Sequence, residues 1–120
     1  MKMILCVLND PSKLRDLLNA WREAGADGAT VFFSTGMGRI IQSTILRDDL
    51  PLMPSLSDFY HQDEKLSRTL FTIIKNDELV GPLITATRYV VGDLDQPGMG
   101  LLVVLPVDQI VGLRKIADNQ

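Results

Sequence analysis

Four short runs of strand-forming residues divide the chain. Residues 3–8 are continuously apolar, which is typical of a strand in the middle of a sheet. Runs rich in β-branched and aromatic side chains follow at 29–34, 67–74 and 101–105. We therefore predict four strands, with 110–116 as a possible short edge strand or turn.

A helical pattern separates the first two strands. Asp10 is suited to an N-cap, Pro11 to the first helical position, and Gly25 to the residue after the helix. Apolar residues recur between them at helical spacing: Leu14, Leu17, Leu18, Trp21 and Ala24. The pattern predicts an amphipathic helix with Trp21 as a core anchor rather than a binding aromatic.

A second helical pattern separates the last two strands. Asn76 or Asp77 can cap it, and its apolar stripe would consist of Leu79, Leu83, Ala86 and Val90. Pro82 fits only if it lies in the first turn, because proline lacks the amide hydrogen that a helix interior needs. We therefore expect this helix to begin late or to bend.

The order β-α-β, long loop, β-α-β predicts an α+β protein with a ferredoxin-like split β-α-β sandwich. One domain would cover residues 1–120, with an antiparallel sheet and both helices on one face. The opposite face then needs another subunit to cover it. Residues of about 36–66 show no period and contain Pro51 and Pro54, so we expect a mobile loop there.

Composition narrows the function classes. Apolar residues make up 46% of the chain and charged residues 22%, as in ordinary globular proteins. The net charge is −3 and no run of Lys and Arg occurs, which argues against a nucleic-acid partner. The longest apolar run is far shorter than the roughly 20 residues that span a bilayer. We expect a cytoplasmic protein that is not membrane-inserted, with Cys6 as a buried, unreactive thiol.

Two glycine motifs flank predicted strands. The first glycine segment, residues 35–39, reads Thr-Gly-Met-Gly-Arg and follows the second strand. The second glycine segment, residues 98–100, reads Gly-Met-Gly and precedes the last strand. Glycine pairs at strand ends permit sharp turns or close approach of a ligand to the backbone, and the guanidinium of Arg39 is suited to an anion.

Together with residues 28–31 (Gly-Ala-Thr-Val) and 105–108 (Leu-Pro-Val-Asp), these motifs resemble the P-II signal-transduction family over residues 3 to about 115. That family consists of small trimeric regulators with a ferredoxin-like fold. The resemblance implies a homotrimer that binds ATP or ADP in clefts between subunits. Its long loop, the T-loop of the family, would dock on a membrane transporter or an enzyme. The protein would then be a regulator and not an enzyme.

The resemblance also implies roles for individual residues. Thr30 would face the adenine, while Gly36, Gly38 and Arg39 would line one wall of the cleft. Gly98 and Gly100 would present amide groups to phosphate, and Arg114 matches an arginine near the end of the family pattern. The remaining motif residues, Met37 and Met99, would either make the cleft more apolar or pack at the subunit interface.

Three positions depart from the family. Ile40 stands where the family has a glutamine that helps to hold 2-oxoglutarate and magnesium, so we do not expect that response. Leu101 and Gly112 replace a lysine and an arginine that contact phosphates. Losing two charge-assisted contacts should weaken ATP binding by about a hundredfold or more. The resemblance therefore implies a diverged member that binds a small effector, with an adenine nucleotide as one candidate and the identity left open.

A second hypothesis is a trimeric metal-binding or ion-tolerance protein of the CutA type. His61 is the only histidine and lies close to Asp58, Asp63 and Glu64, a donor set that can hold a divalent ion. A solvated acidic loop explains the same residues. One histidine without a nucleophile pairing gives no support for an enzyme.

Overall fold

Four strands and two main helices follow one another in the order that the hydrophobic pattern predicts. The computed structural model describes residues 1–37, 40 and 66–113. The strands are β1 (Lys2–Leu8), β2 (Thr30–Ser34), β3 (Ser67–Ile74) and β4 (Leu101–Pro106). The helices are α1 (Leu14–Glu23) and α2 (Val80–Val91), each preceded by a 3-10 turn, Pro11–Lys13 and Asp77–Leu79. Most of the predicted long loop lies outside the described residues, as do residues 114–120.

The strands form one antiparallel sheet in the order β2-β3-β1-β4. Cys6 of β1 lies opposite Leu70 of β3 on one side and Leu102 of β4 on the other. This α+β architecture and strand order are compatible with the predicted ferredoxin-like arrangement. The two central strands place β2 and β4 at opposite edges of the sheet.

Both helices pack on the same face of the sheet. The core there consists of alternate residues of β1, namely Ile4, Cys6 and Leu8, with Leu70 of β3. Leu17 and Trp21 enter it from α1, and Leu83 and Val91 from α2. Trp21 is 1% exposed, which confirms that it is a core residue.

The helix ends follow the predicted signals. The Asp10 carboxylate accepts hydrogen bonds from the Ser12 amide and hydroxyl, and Gly25 after α1 has a φ of +117°. Pro82 lies in the first turn of α2, where its missing amide hydrogen costs no helical hydrogen bond. The predicted stripe is confirmed, because Leu83 is buried and Leu79, Ala86 and Val90 pack against the core. It was incomplete, since Thr87 and Val91 of α2 are buried as well.

The other face, here named the open sheet face, carries the alternate residues of every strand. Paired residues of antiparallel strands point to the same side, which assigns its members. They are Thr30, Phe32, Ser34, Ser67, Thr69, Phe71, Ile73, Met3, Leu5, Val7, Leu101, Val103 and Leu105. Phe32 is 46% exposed and Leu101 54% exposed, and the rings of Phe32 and Phe71 meet edge to face.

Candidate effector site at one end of the sheet

The two glycine segments lie at the same end of the sheet but at opposite edges. The first follows the end of β2, and the second precedes the start of β4. The order β2-β3-β1-β4 puts three inter-strand steps of about 4.8 Å between them, so about 14 Å separates their strands. One chain therefore presents two separate halves of the predicted cleft.

Gly36 in the first glycine segment has no structural requirement for glycine in the described structure. Its φ is not positive, and a Cβ added to it would meet no heavy atom within 4 Å. The Ile40 amide donates to the Gly36 carbonyl at 3.1 Å. Met37 is 78% exposed. The remaining two residues of the segment, Gly38 and Arg39, lie outside the described part of the chain.

Both glycines of the second segment have positive φ, +78° for Gly98 and +119° for Gly100. A Cβ on Gly100 would also collide with the Val7 carbonyl oxygen, so this position requires glycine for the fold itself. Met99 is half-buried, and its terminal methyl lies 3.1 Å from where a Cβ on Gly92 would be. Its side chain thus packs against the end of α2 in the same chain.

Asn9 joins the second glycine segment to the centre of the sheet. Its side-chain amide donates to the Gly98 carbonyl at 2.8 Å and accepts from the Ser67 hydroxyl at 3.1 Å. Beside it, the Thr69 hydroxyl donates to the Ser34 hydroxyl at 2.7 Å, just before the first glycine segment. The sequence analysis missed Asn9. Its only signal was a polar residue placed directly after a buried strand.

Arg68 is a cation at the second residue of β3. Its guanidinium lies 4.2 Å from the centroid of the Phe33 ring and donates to the Leu66 carbonyl at 2.8 Å. Stacking on an aromatic ring holds a guanidinium in place while leaving other N–H groups available. The sequence gives no signal for this contact, because Arg68 and Phe33 come together only through the pairing of β2 with β3.

Thr30 lies at the other end of β2 from the first glycine segment, and about 13 Å along the strand separates it from Ser34, the last residue before that segment. It lines an open groove of about 430 Å³ together with Phe71, Ile73, Lys75 and Leu113. The Gly28 carbonyl at this groove accepts a hydrogen bond from the Thr72 hydroxyl. Three distant segments of the chain form the groove, so the sequence pattern gave no signal for it.

The pKa values of two side chains, Cys6 and Asp10, are shifted from their ordinary values. Burial raises the pKa of the Cys6 thiol from 9.0 to about 11, in agreement with the predicted inert cysteine. Hydrogen bonds from the Ser12 hydroxyl and amide lower the pKa of the exposed Asp10 carboxyl. Neither group is arranged as a catalytic acid or base.

In the part of the chain formed by residues 1–37, 40 and 66–113, no group of three or more His, Cys, Asp or Glu residues could hold a metal ion. His61 and the neighbouring carboxylates of the metal hypothesis lie outside it. No helix within those ranges is long and apolar enough to cross a bilayer. Arg114 lies beyond them as well.

Comparison with known proteins does not assign the chain. Neither a scan of protein-family models nor a search of curated proteins returned a match. The function proposed below therefore rests on the chain's own residues and on the sequence resemblance described above.

Proposed function

We propose that the protein is a diverged P-II-like regulator that assembles as a homotrimer. A small anionic effector would bind where the first glycine segment of one subunit meets the second glycine segment of a neighbour. Binding would favour one arrangement of the long loop, through which the protein controls a transporter or an enzyme.

The placement of the two glycine segments is the observation that carries this proposal. They share one end of the sheet but occupy opposite edges, about 14 Å apart. In the proposed ring of subunits, the β2 edge of one copy would face the β4 edge of the next. The two glycine segments lie too far apart to form a cleft within one chain. In the ring they would face each other across the contact between two subunits.

The open sheet face supports the assembly part of the proposal. Phe32, Leu101 and Leu105 leave 46%, 54% and 39% of their surfaces exposed on that face. Contiguous exposed apolar surface of this kind is typical of subunit contacts. The half-buried Met3, Leu5 and Val7 continue it through the centre of the sheet.

Gly36 supports the binding part. Glycine has no side chain and therefore lets a ligand or another backbone approach closely. Gly36 has no positive φ, and among the described residues no neighbour excludes a Cβ. Close approach of a ligand or of a second subunit gives a reason for glycine there.

Calorimetry tests the proposed binding. We expect ATP, ADP or a cyclic dinucleotide to bind, and Arg39→Ala to weaken that binding by about tenfold to a hundredfold, because a charge-assisted hydrogen bond is lost. Arg22→Ala is the matched control, since Arg22 is exposed in the last turn of α1 at the opposite end of the sheet. We expect no change in that variant.

Addition of 2-oxoglutarate with magnesium should leave the affinity unchanged, because Ile40 offers no polar group. Equal affinity of wild type and Arg39→Ala would place the effector elsewhere. Binding of none of the three nucleotides would refute an adenine effector.

A further inference from the structure

Asn9 holds together two parts of the chain that are far apart in sequence. It follows β1 directly and is half-buried. Its Nδ2 donates to the Gly98 carbonyl, 89 residues later, and its Oδ1 accepts from the Ser67 hydroxyl, 58 residues later. One side chain thus connects the second glycine segment with Ser67, the first residue of β3, which follows the predicted long loop in the sequence.

Both partners of Asn9 are fixed in the fold. Gly98 has a φ of +78°, and Gly100, two residues later, fits against the Val7 carbonyl only because it lacks a Cβ. Ser67 is 3% exposed and pairs with Ser34 of β2. A displacement of the Gly98 carbonyl would therefore be transmitted through Asn9 to Ser67, a residue of the sheet.

The amide side chain of Asn9 supplies both the donor and the acceptor that its two partners need. The carbonyl of Gly98 needs a donor, and the Ser67 hydroxyl donates to an acceptor on the same side chain. An aspartate in this place would keep the acceptor but turn an oxygen towards the Gly98 carbonyl. The two hydrogen bonds that Asn9 makes therefore depend on the amide group of its side chain.

We propose that Asn9 is a positioning residue that fixes the second glycine segment and links its position to the exit of the long loop at Ser67. This inference rests on the proposed function in one respect, since the effector that would contact Gly98 or Gly100 comes from that proposal. The link itself is a property of the ligand-free chain. Effector binding and loop arrangement would then communicate through one side chain.

Amide hydrogen exchange on the ligand-free, full-length protein tests the link. Ser67→Ala should raise exchange across residues 98–102 by about fivefold, because the weakened Asn9 anchor favours local opening. Asn9→Asp should raise exchange there at least as much. The matched control is Thr69→Val, which removes a hydroxyl from the same face of β3 but one bonded to Ser34 instead of Asn9. That control should leave residues 98–102 unchanged.

A double-mutant comparison separates the link from a general loss of order. In an Asn9→Ala background, Ser67→Ala should add no further exchange at residues 98–102. Additive increases, or an equal increase in Thr69→Val, would overturn the link. So would an increase in Asn9→Asp with none in Ser67→Ala, which would leave Asn9 as a local anchor for Gly98 alone. Failure of ATP to bind the wild type would refute the adenine effector without changing these exchange results.

Discussion

Gly100 and Gly36 occupy physically different positions, although each comes from a Gly-x-Gly motif. Gly100 combines a φ of +119° with a Val7 carbonyl oxygen where a Cβ would be, so the fold requires it. Gly36 has ordinary backbone geometry and open space around it. Of the two, only Gly36 is not required by packing among the described residues, and we therefore take it as the stronger candidate for a binding role.

The Cys6 thiol gives a pH-dependent prediction. Its pKa rises from 9.0 in its ordinary state to about 11 in the fold, because it is buried. Below pH 9 the thiol is neutral in both the folded and the unfolded protein, and it has no pH effect on stability. Between pH 9 and 11 only the unfolded thiol ionises, so the free energy of unfolding should fall by at most about 1.4 kcal/mol per pH unit from this group.

Urea unfolding at pH 8 to 10.5 measures the effect, with Cys6→Ala as the comparison. The variant should be less stable at every pH but should lose less stability across this range. Alkylation gives a second readout, since the thiol should react in urea and not in buffer. Parallel pH curves for the two proteins would show that the Cys6 pKa is not raised.

At the scale of elements, α1 and α2 are joined by a buried polar bridge. The Trp21 indole donates to the Thr87 hydroxyl at 2.8 Å, and that hydroxyl donates to the Leu83 carbonyl at 2.8 Å. Thr87→Val keeps the shape but leaves the indole N–H unpaired, so it should lower the free energy of unfolding by about 1–3 kcal/mol. Thr87→Ser retains the hydroxyl and should lose less. Urea unfolding of both variants decides this, and equal losses would mean that the methyl group matters more than the bridge.

The elements themselves were largely predictable because their signals are local. Residues 67–74 form β3 as predicted, and Asp10, Pro11 and Gly25 mark the ends of the first helical region. Thr87 was missed because a helical stripe search counts apolar residues, whereas this threonine is buried through its hydrogen bonds. Periodicity alone thus found the helix but not its whole buried face.

The candidate site was less predictable, because strand pairing assembles it. The sequence marks both glycine segments, but their placement at opposite edges follows only from the order of strands. Asn9 meets Gly98 across 89 residues, and Arg68 meets Phe33 only through the pairing of β2 with β3. No local pattern contains these contacts.

For the whole molecule, we expect a trimer stabilised by the open sheet face. Light scattering on the purified protein should give three times 13.3 kDa. Phe32→Glu should shift the mass towards the monomer, because it places a charge on a surface that the assembly would bury. Phe33→Glu is the control, since Phe33 is 58% exposed on the other face of the same strand. A monomeric wild type at micromolar concentration would refute the assembly.

Subunit mixing tests most directly whether the effector site is shared between neighbours. Gly36→Leu fits the open space at the first glycine segment and should block the cleft. Gly98→Asp adds a negative charge to the second glycine segment. The φ of residue 98 is positive, and aspartate tolerates a positive φ better than most residues. Each variant alone should fail to bind the nucleotide that the wild type binds.

The two variants are then unfolded together and refolded as mixed trimers. A site is intact when a Gly98→Asp subunit supplies its first glycine segment and the neighbouring Gly36→Leu subunit supplies its second. Random mixing makes about a quarter of all sites intact, so we predict that calorimetry recovers about a quarter of the wild-type binding sites at wild-type affinity. Mixed trimers that bind no better than either variant alone would contradict a site built from two subunits.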